Sequence, residues 1–253
     1  MTPSPVQALA LRLRERVLGL LPMPLTHVVP VRHEETAAVV TRRRRVVTGT
    51  SVLGATLLGS SMSTKPDSTA FYALTLGAAG AWTVGGLVSG PLHLGWIEGR
   101  DRHLRRPLVT PVASGVGAFG FFYGCALVVR RIPFLDAAIT RVLAFAEQGS
   151  MPLVLLTTYA NGVGEEVFFR GALYATLPPS WAVTASTGVY VLATVTTRNP
   201  SLVLAAVVMG GLLGMQRRAT GGLQAPLVTH LTWSTLMVRY LPPLFRQPHG
   251  RSR

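Results

Sequence analysis

Cysteine is nearly missing from this sequence. A single residue, Cys125, sits inside an apolar run. Neither a disulfide framework nor a cysteine-based metal site can be built from it, and it reads as a small buried hydrophobe. Charge is scarce as well. Only 13% of the 253 residues are charged, about half the roughly 25% of a soluble domain. Two further patterns are lacking. No clean apolar core followed by a small-residue cleavage site opens the chain, so no secretory leader is expected. No interleaving of aromatic and basic residues accompanies the net charge of +14, which argues against a nucleic-acid partner.

What is present is apolar sequence, 49% of the chain, broken by arginine clusters. Arginine beside apolar runs is retained on the cytoplasmic side and attracts anionic lipid headgroups. Residues 1–45 form a basic head in which Ala8–Leu21 reads as an amphipathic helix, with Pro22, Pro24 and Pro30 breaking any regular helix after it. Arg42-Arg43-Arg44-Arg45 then abuts the first apolar run, Val46–Met62, and places that end in the cytoplasm. Further runs cover Thr69–Gly90, Leu108–Val129, Met151–Leu177, Trp181–Thr197, Ser201–Gln216 and Leu223–Leu241. A span needs about 20 apolar residues. The pattern predicts an all-α, polytopic transmembrane bundle of about seven or eight spans over residues 46–241, with a basic tail at 242–253. Phe134–Glu147 is apolar on one side only and reads either as an interfacial helix or as an eighth span, which reverses the sidedness of every later span. The arginine-rich loop Glu98–Arg106 is expected inside. Glycine recurs within the runs, as at Gly80, Gly86, Gly117 and Gly120, and Gly210 and Gly214 have the small-xxx-small spacing. Small residues let membrane helices approach closely.

Against this background one stretch stands out: Asn161-Gly-Val-Gly-Glu165-Glu166-Val-Phe-Phe-Arg170-Gly171. A carboxylate at the bilayer centre costs about 2.5–3.5 kcal/mol, and an intramembrane acid is a functional-site hypothesis by default. On a helix Glu166 and Arg170 share a face and can pair, while Glu165 points about 100° away, toward a different cavity. A positioned carboxylate can take a proton from water as general base. The plainer alternative is an ion pair locking two helices. The second element is His230, the histidine set deepest in an apolar run, with Ser234 four residues on. Facing a carboxylate, the pair could hold a water or stabilise an oxyanion; alternatively His230 only bonds across helices. His93 reads as interfacial, and His27, His33, His103 and His249 as surface residues. A catalytic zinc takes three protein ligands, and one histidine with two adjacent acids is a poor set, so no cofactor is expected.

Glu-Glu-x-x-x-Arg, followed about 60 residues later by a histidine in the last run, resembles the CPBP intramembrane proteases, which include the CAAX prenyl proteases and the bacterial Abi relatives active in bacteriocin processing and immunity. The likeness covers Pro152–Val238, including the glycine-rich Gly210–Gly214 and the Ala225-Pro226 that precedes His230. It implies an intramembrane endopeptidase of glutamic type in a bacterial plasma membrane, acting on a membrane-associated protein or peptide. Glu165 would activate water, Glu166 and Arg170 would support it, and His230 would lie across the cavity. Two departures matter. The family's Phe-x-x-x-His reads Tyr190-x-x-x-Thr194 here, and its His-x-x-x-Asn/Asp reads His230-x-x-x-Ser234. Threonine cannot replace an imidazole near neutral pH. The resemblance therefore admits a second outcome, a catalytically degenerate scaffold or immunity-type binding protein, with Thr194, Ser234 and Tyr190 as supporting residues at most. A proton-coupled transporter ranks lower, since no inverted repeat relates the halves. A rhomboid-type serine protease also ranks lower, because Ser234 and His230 share one helix.

Overall fold

The structure, a computed structural model, describes residues 23–29, 35–99 and 101–245. The expected amphipathic helix Ala8–Leu21, the surface histidines His33 and His249, and the tail beyond Phe245 lie outside the described residues. The all-α class holds. Among the described residues eight long helices run in order: α1 Ala37–Ser61, α2 Thr69–Ser89, α3 Val109–Val129, α4 Pro133–Gln148, α5 Met151–Glu165, α6 Ala182–Val195, α7 Pro200–Thr220 and α8 Gln224–Tyr240. A two-stranded hairpin, Ile97–Glu98 against Leu104–Arg105, occupies the loop before α3.

By length and apolarity three described helices can cross a membrane: α2, α3 and α7. The count falls short of seven or eight for physical reasons. Helix α1 carries four arginines in its first half. With 14 and 17 residues, α6 and α8 reach only about 21 and 26 Å at 1.5 Å per residue, less than the hydrocarbon thickness of about 30 Å. Helix α5 runs on into a π-helical segment, Glu166–Leu173.

The first helix begins nine residues before its apolar run. Thr36 caps it by accepting from Val39 N–H, and arginine is a good helix former. The arginine cluster is also not uniform. Arg42, Arg44 and Arg45 are exposed, but Arg43 is fully buried, ion-paired to Glu35 and donating to Ser89 Oγ and the Pro91 carbonyl. A buried guanidinium needs such partners, and it ties the start of α1 to the end of α2.

The two ends of the bundle differ. At the arginine end the hairpin loop meets the α7–α8 turn, with Trp96 N–H donating to the Thr220 carbonyl and Leu223 N–H to the His93 carbonyl. Arg106 stacks on Trp96 at 3.7 Å, and His27 bonds Glu98 at 2.7 Å. At the far end lies α4. Its Ala138 carbonyl accepts from Asn199 between α6 and α7, its Leu143 packs with Ala126 and Leu241, and its Phe145 meets Phe71 at the start of α2. These contacts set α4 against the far end of the bundle.

The core is built around Trp82, fully buried, with its ring 5.5 Å from Phe169 and packed with Phe168, Ala78 and Leu58. Glycines bring the helices together where the core meets the polar cluster. A Cβ on Gly164 would stand 2.7 Å from the Ala79 carbonyl oxygen, and one on Gly86 would stand 2.5 Å from Val167. Gly210 and Gly214 face Thr187 and Val183 of α6, so that pair serves packing within the chain. Other glycines do not follow the expectation: Gly80, Gly117 and Gly120 meet nothing. Helix α3 packs on α8 and turns most of its surface outward. Cys125 lies on that outward surface and is exposed, not buried.

Candidate active site

Glu165 closes α5 and Glu166 opens the π-helical segment. Short π segments inside helices occur frequently at functional sites. All eight residues Glu166–Leu173 are buried. Helices α2, α6, α7 and α8 all border this segment. His230 stands about 9 Å along α8 from its start and Tyr190 about 12 Å along α6, at 1.5 Å per residue, so each lies about two turns into its helix.

Glu166 is fully buried and receives two bonds on one oxygen. Arg170 Nη1 donates to Oε1 at 3.2 Å, and His230 Nδ1 lies 2.8 Å from the same atom. The i,i+4 pair expected from spacing is therefore present. Glu165 does not face a separate cavity. Its Oε2 lies 4.0 Å from His230 Nε2, so the imidazole stands between the two chain-adjacent carboxylates, one nitrogen toward each. Glu165 also gains two partners that local spacing did not offer. The Tyr190 hydroxyl donates to Oε2 at 2.7 Å, and Asn161 Nδ2 reaches Oε1 at 3.5 Å. The Tyr190 ring is held from both sides, with Phe169 at 4.9 Å and the Arg170 guanidinium at 4.7 Å.

A second tier fixes these groups. Arg217 Nε donates to the Arg170 carbonyl at 2.7 Å. Gln216 donates to Thr229 Oγ1, which donates to the Pro111 carbonyl, joining α7, α8 and the start of α3 beside His230. Gln216, Arg217 and Thr229 were missed because their partners lie on other segments of the chain, which local spacing does not disclose. The two altered positions stand apart. Thr194 is buried, but its hydroxyl donates to the Tyr190 carbonyl of its own helix. Ser234 is buried one turn beyond His230 and takes no part in these bonds.

Three buried atoms in the cluster, Asn161 Oδ1, Glu166 Oε2 and Arg170 Nη2, have no hydrogen-bond partner among the described residues. Leaving buried polar atoms unpaired costs roughly 1–3 kcal/mol each, and such atoms in a native fold call for an explanation. Among the described residues no group of three His, Cys, Asp or Glu side chains has the arrangement to hold a metal ion. Glu165 and Glu166 address opposite edges of the imidazole, which leaves no point all three share.

Residues 147–236 match the family model described as Type II CAAX prenyl endopeptidase Rce1-like. No curated protein and no solved structure matches the chain. The match begins at the end of α4 and closes within α8, enclosing every residue of the cluster. The glutamate pair, the arginine, the glycine-rich α7 and His230 are thus carried by a segment that matches a CAAX protease family, consistent with the CPBP/CAAX proteases.

Proposed function

We propose that the chain is an intramembrane endopeptidase that hydrolyses a peptide bond in a membrane-associated protein or peptide by a glutamate-activated water. The observation that carries this reading is the 4.0 Å separation of Glu165 Oε2 and His230 Nε2. The two atoms are too far apart to bond directly and close enough to share one water. Glu166, held by Arg170, accepts from His230 Nδ1 and thereby leaves Nε2 as an acceptor. A water donating one hydrogen to Nε2 and one to Glu165 presents its lone pair outward. Glu165 takes the proton as the water oxygen bonds to the scissile carbonyl carbon. That proton passes to the amine nitrogen as the C–N bond breaks. Atoms and charge balance without a cofactor.

The same reading assigns seven crossings, α1–α3 and α5–α8, with α4 lying across the outer end. The arginine end faces the cytoplasm of a bacterial plasma membrane, which puts the site about 9–12 Å inside that face. The deciding assay is cleavage of membrane-anchored peptides by the purified full chain. Glu165→Ala is expected to lower turnover by roughly 10²- to 10⁴-fold; wild-type turnover in that variant would remove the assigned base.

One observation favours a second reading, a decayed enzyme acting as a scaffold or immunity-type binding protein. Thr194 is bonded to its own helix, and Ser234 stands outside the network. If wild type is inert and only Thr194→His combined with Ser234→Asn cleaves, the decayed reading holds.

A further inference from the structure

A cavity of about 640 Å³ opens at the arginine end, beyond the last turn of the π-helical segment. It contains none of the residues of the glutamate–histidine cluster. Its walls combine Arg217, Arg218, Tyr174 and Ser180 with apolar side chains, among them Val40 and Leu92. Glu35 also lines it, but that carboxylate is already neutralised by Arg43. Among the described residues neither Arg217 nor Arg218 is ion-paired. Arg217 is anchored through Nε on the Arg170 carbonyl, with its guanidinium 5.0 Å over the Tyr174 ring. That anchor leaves its two terminal amino groups for another acceptor. A guanidinium fixed at one nitrogen and beside a second arginine is preorganised for an oxyanion that accepts two bonds at once.

We propose that this cavity seats the phosphate of an anionic phospholipid drawn from the leaflet at the arginine end. Three observations select lipid over a free ion. Among the described residues the two cations have no ion-pair partner. The cavity lies at the end where Arg42, Arg44 and Arg45 are exposed, the level of phosphate headgroups. Its apolar walls fit a glycerol and the first methylenes of acyl chains, which a free phosphate does not possess. Binding here is independent of proteolysis and is read directly.

The test uses the purified full chain in phosphatidylcholine nanodiscs containing a minor fraction of labelled phosphatidylglycerol. The expected result is retention of phosphatidylglycerol over labelled phosphatidylcholine. Arg218→Gln, half-buried at the cavity wall, should weaken retention roughly fivefold, the contribution of one cation near a headgroup. Arg44→Gln, exposed on α1 and outside the cavity wall, should weaken it less than Arg218→Gln. Arg217→Gln should weaken it at least as much as Arg218→Gln. Because Arg217 also braces Arg170, Arg218→Gln is the variant that decides. Equal retention of the two lipids, or unaltered retention in Arg218→Gln, overturns the proposal. Displacement by inorganic phosphate alone overturns the lipid assignment in favour of a free anion. Displacement by a peptide with a free C-terminal carboxylate, but not by its amide, overturns it in favour of a peptide subsite.

Discussion

Helix α3 and the π-helical segment are opposites. Val109–Val129 is among the most apolar stretches of the chain, yet only Pro111, Gly115 and Ala126 are buried. Glu166–Leu173 carries a glutamate and an arginine in eight residues, and every one of them is buried. In a water-soluble protein the assignment would be reversed. In a bilayer lipid tails are as apolar as leucine, so nothing drives an apolar face inward, whereas a charge escapes the hydrocarbon only by finding partners in the protein. An apolar helix can therefore lie at the surface of this molecule while a charged segment lies in its interior. That interior is a ring of partners around one imidazole.

The comparison is broken most severely by removing one charge from the buried segment. Arg170→Met keeps the bulk and deletes the cation, leaving Glu166 fully buried with only His230 to compensate it. The expected loss is about 3–5 kcal/mol, seen as a large fall in melting temperature in detergent. A melting temperature equal to wild type would mean that the pair contributes no net stability. Tyr190→Phe restores the aromatic residue of the family pattern and removes one hydroxyl. Its bond goes to a carboxylate with which only a long Asn161 contact competes, and a hydrogen bond to a charged group is worth roughly 1.5–3 kcal/mol. The same thermal measurement should show a smaller, clear loss. An unchanged melting temperature would show that Glu165 repartners freely.

These residues differ in how far the sequence disclosed them. Glu165, Glu166, Arg170 and His230 were legible because an ionisable residue in an apolar run is costly, and because Glu166–Arg170 spacing encodes a contact on one helix. The convergence of both glutamates on His230 was not legible. Helical spacing alone sends Glu165 about 100° away, and only the π-helical turn and the placement of α8 bring both acids to one ring. Arg43 was read with its three neighbours as a topological charge, since four consecutive arginines carry no sign of which one turns inward. Cys125 was expected inside for a related reason: apolar periodicity identifies a crossing helix but not which side of it meets protein. The placement of α4 at the far end of the bundle needed its contacts with Asn199, Leu241 and Phe71, all distant in sequence.

The smallest effect sharpens the comparison furthest, because it applies one chemical change to both regions. Gly164→Ala adds a methyl 2.7 Å from the Ala79 carbonyl oxygen, where neither backbone can yield without parting α2 from α5. Overpacking of that kind costs roughly 1–3 kcal/mol. Gly117→Ala adds the same methyl to α3, where nothing lies within 4 Å. In water alanine would gain from its helix propensity, but a membrane helix stays helical in the reference state from which the bundle assembles, so that gain cancels. The expected change is within about 0.5 kcal/mol, as for a surface position. Thermal unfolding of the two variants in one detergent should separate them clearly. A marked loss in Gly117→Ala would require a partner packed against the outward surface of α3, and would turn that surface from a lipid-facing one into an interface.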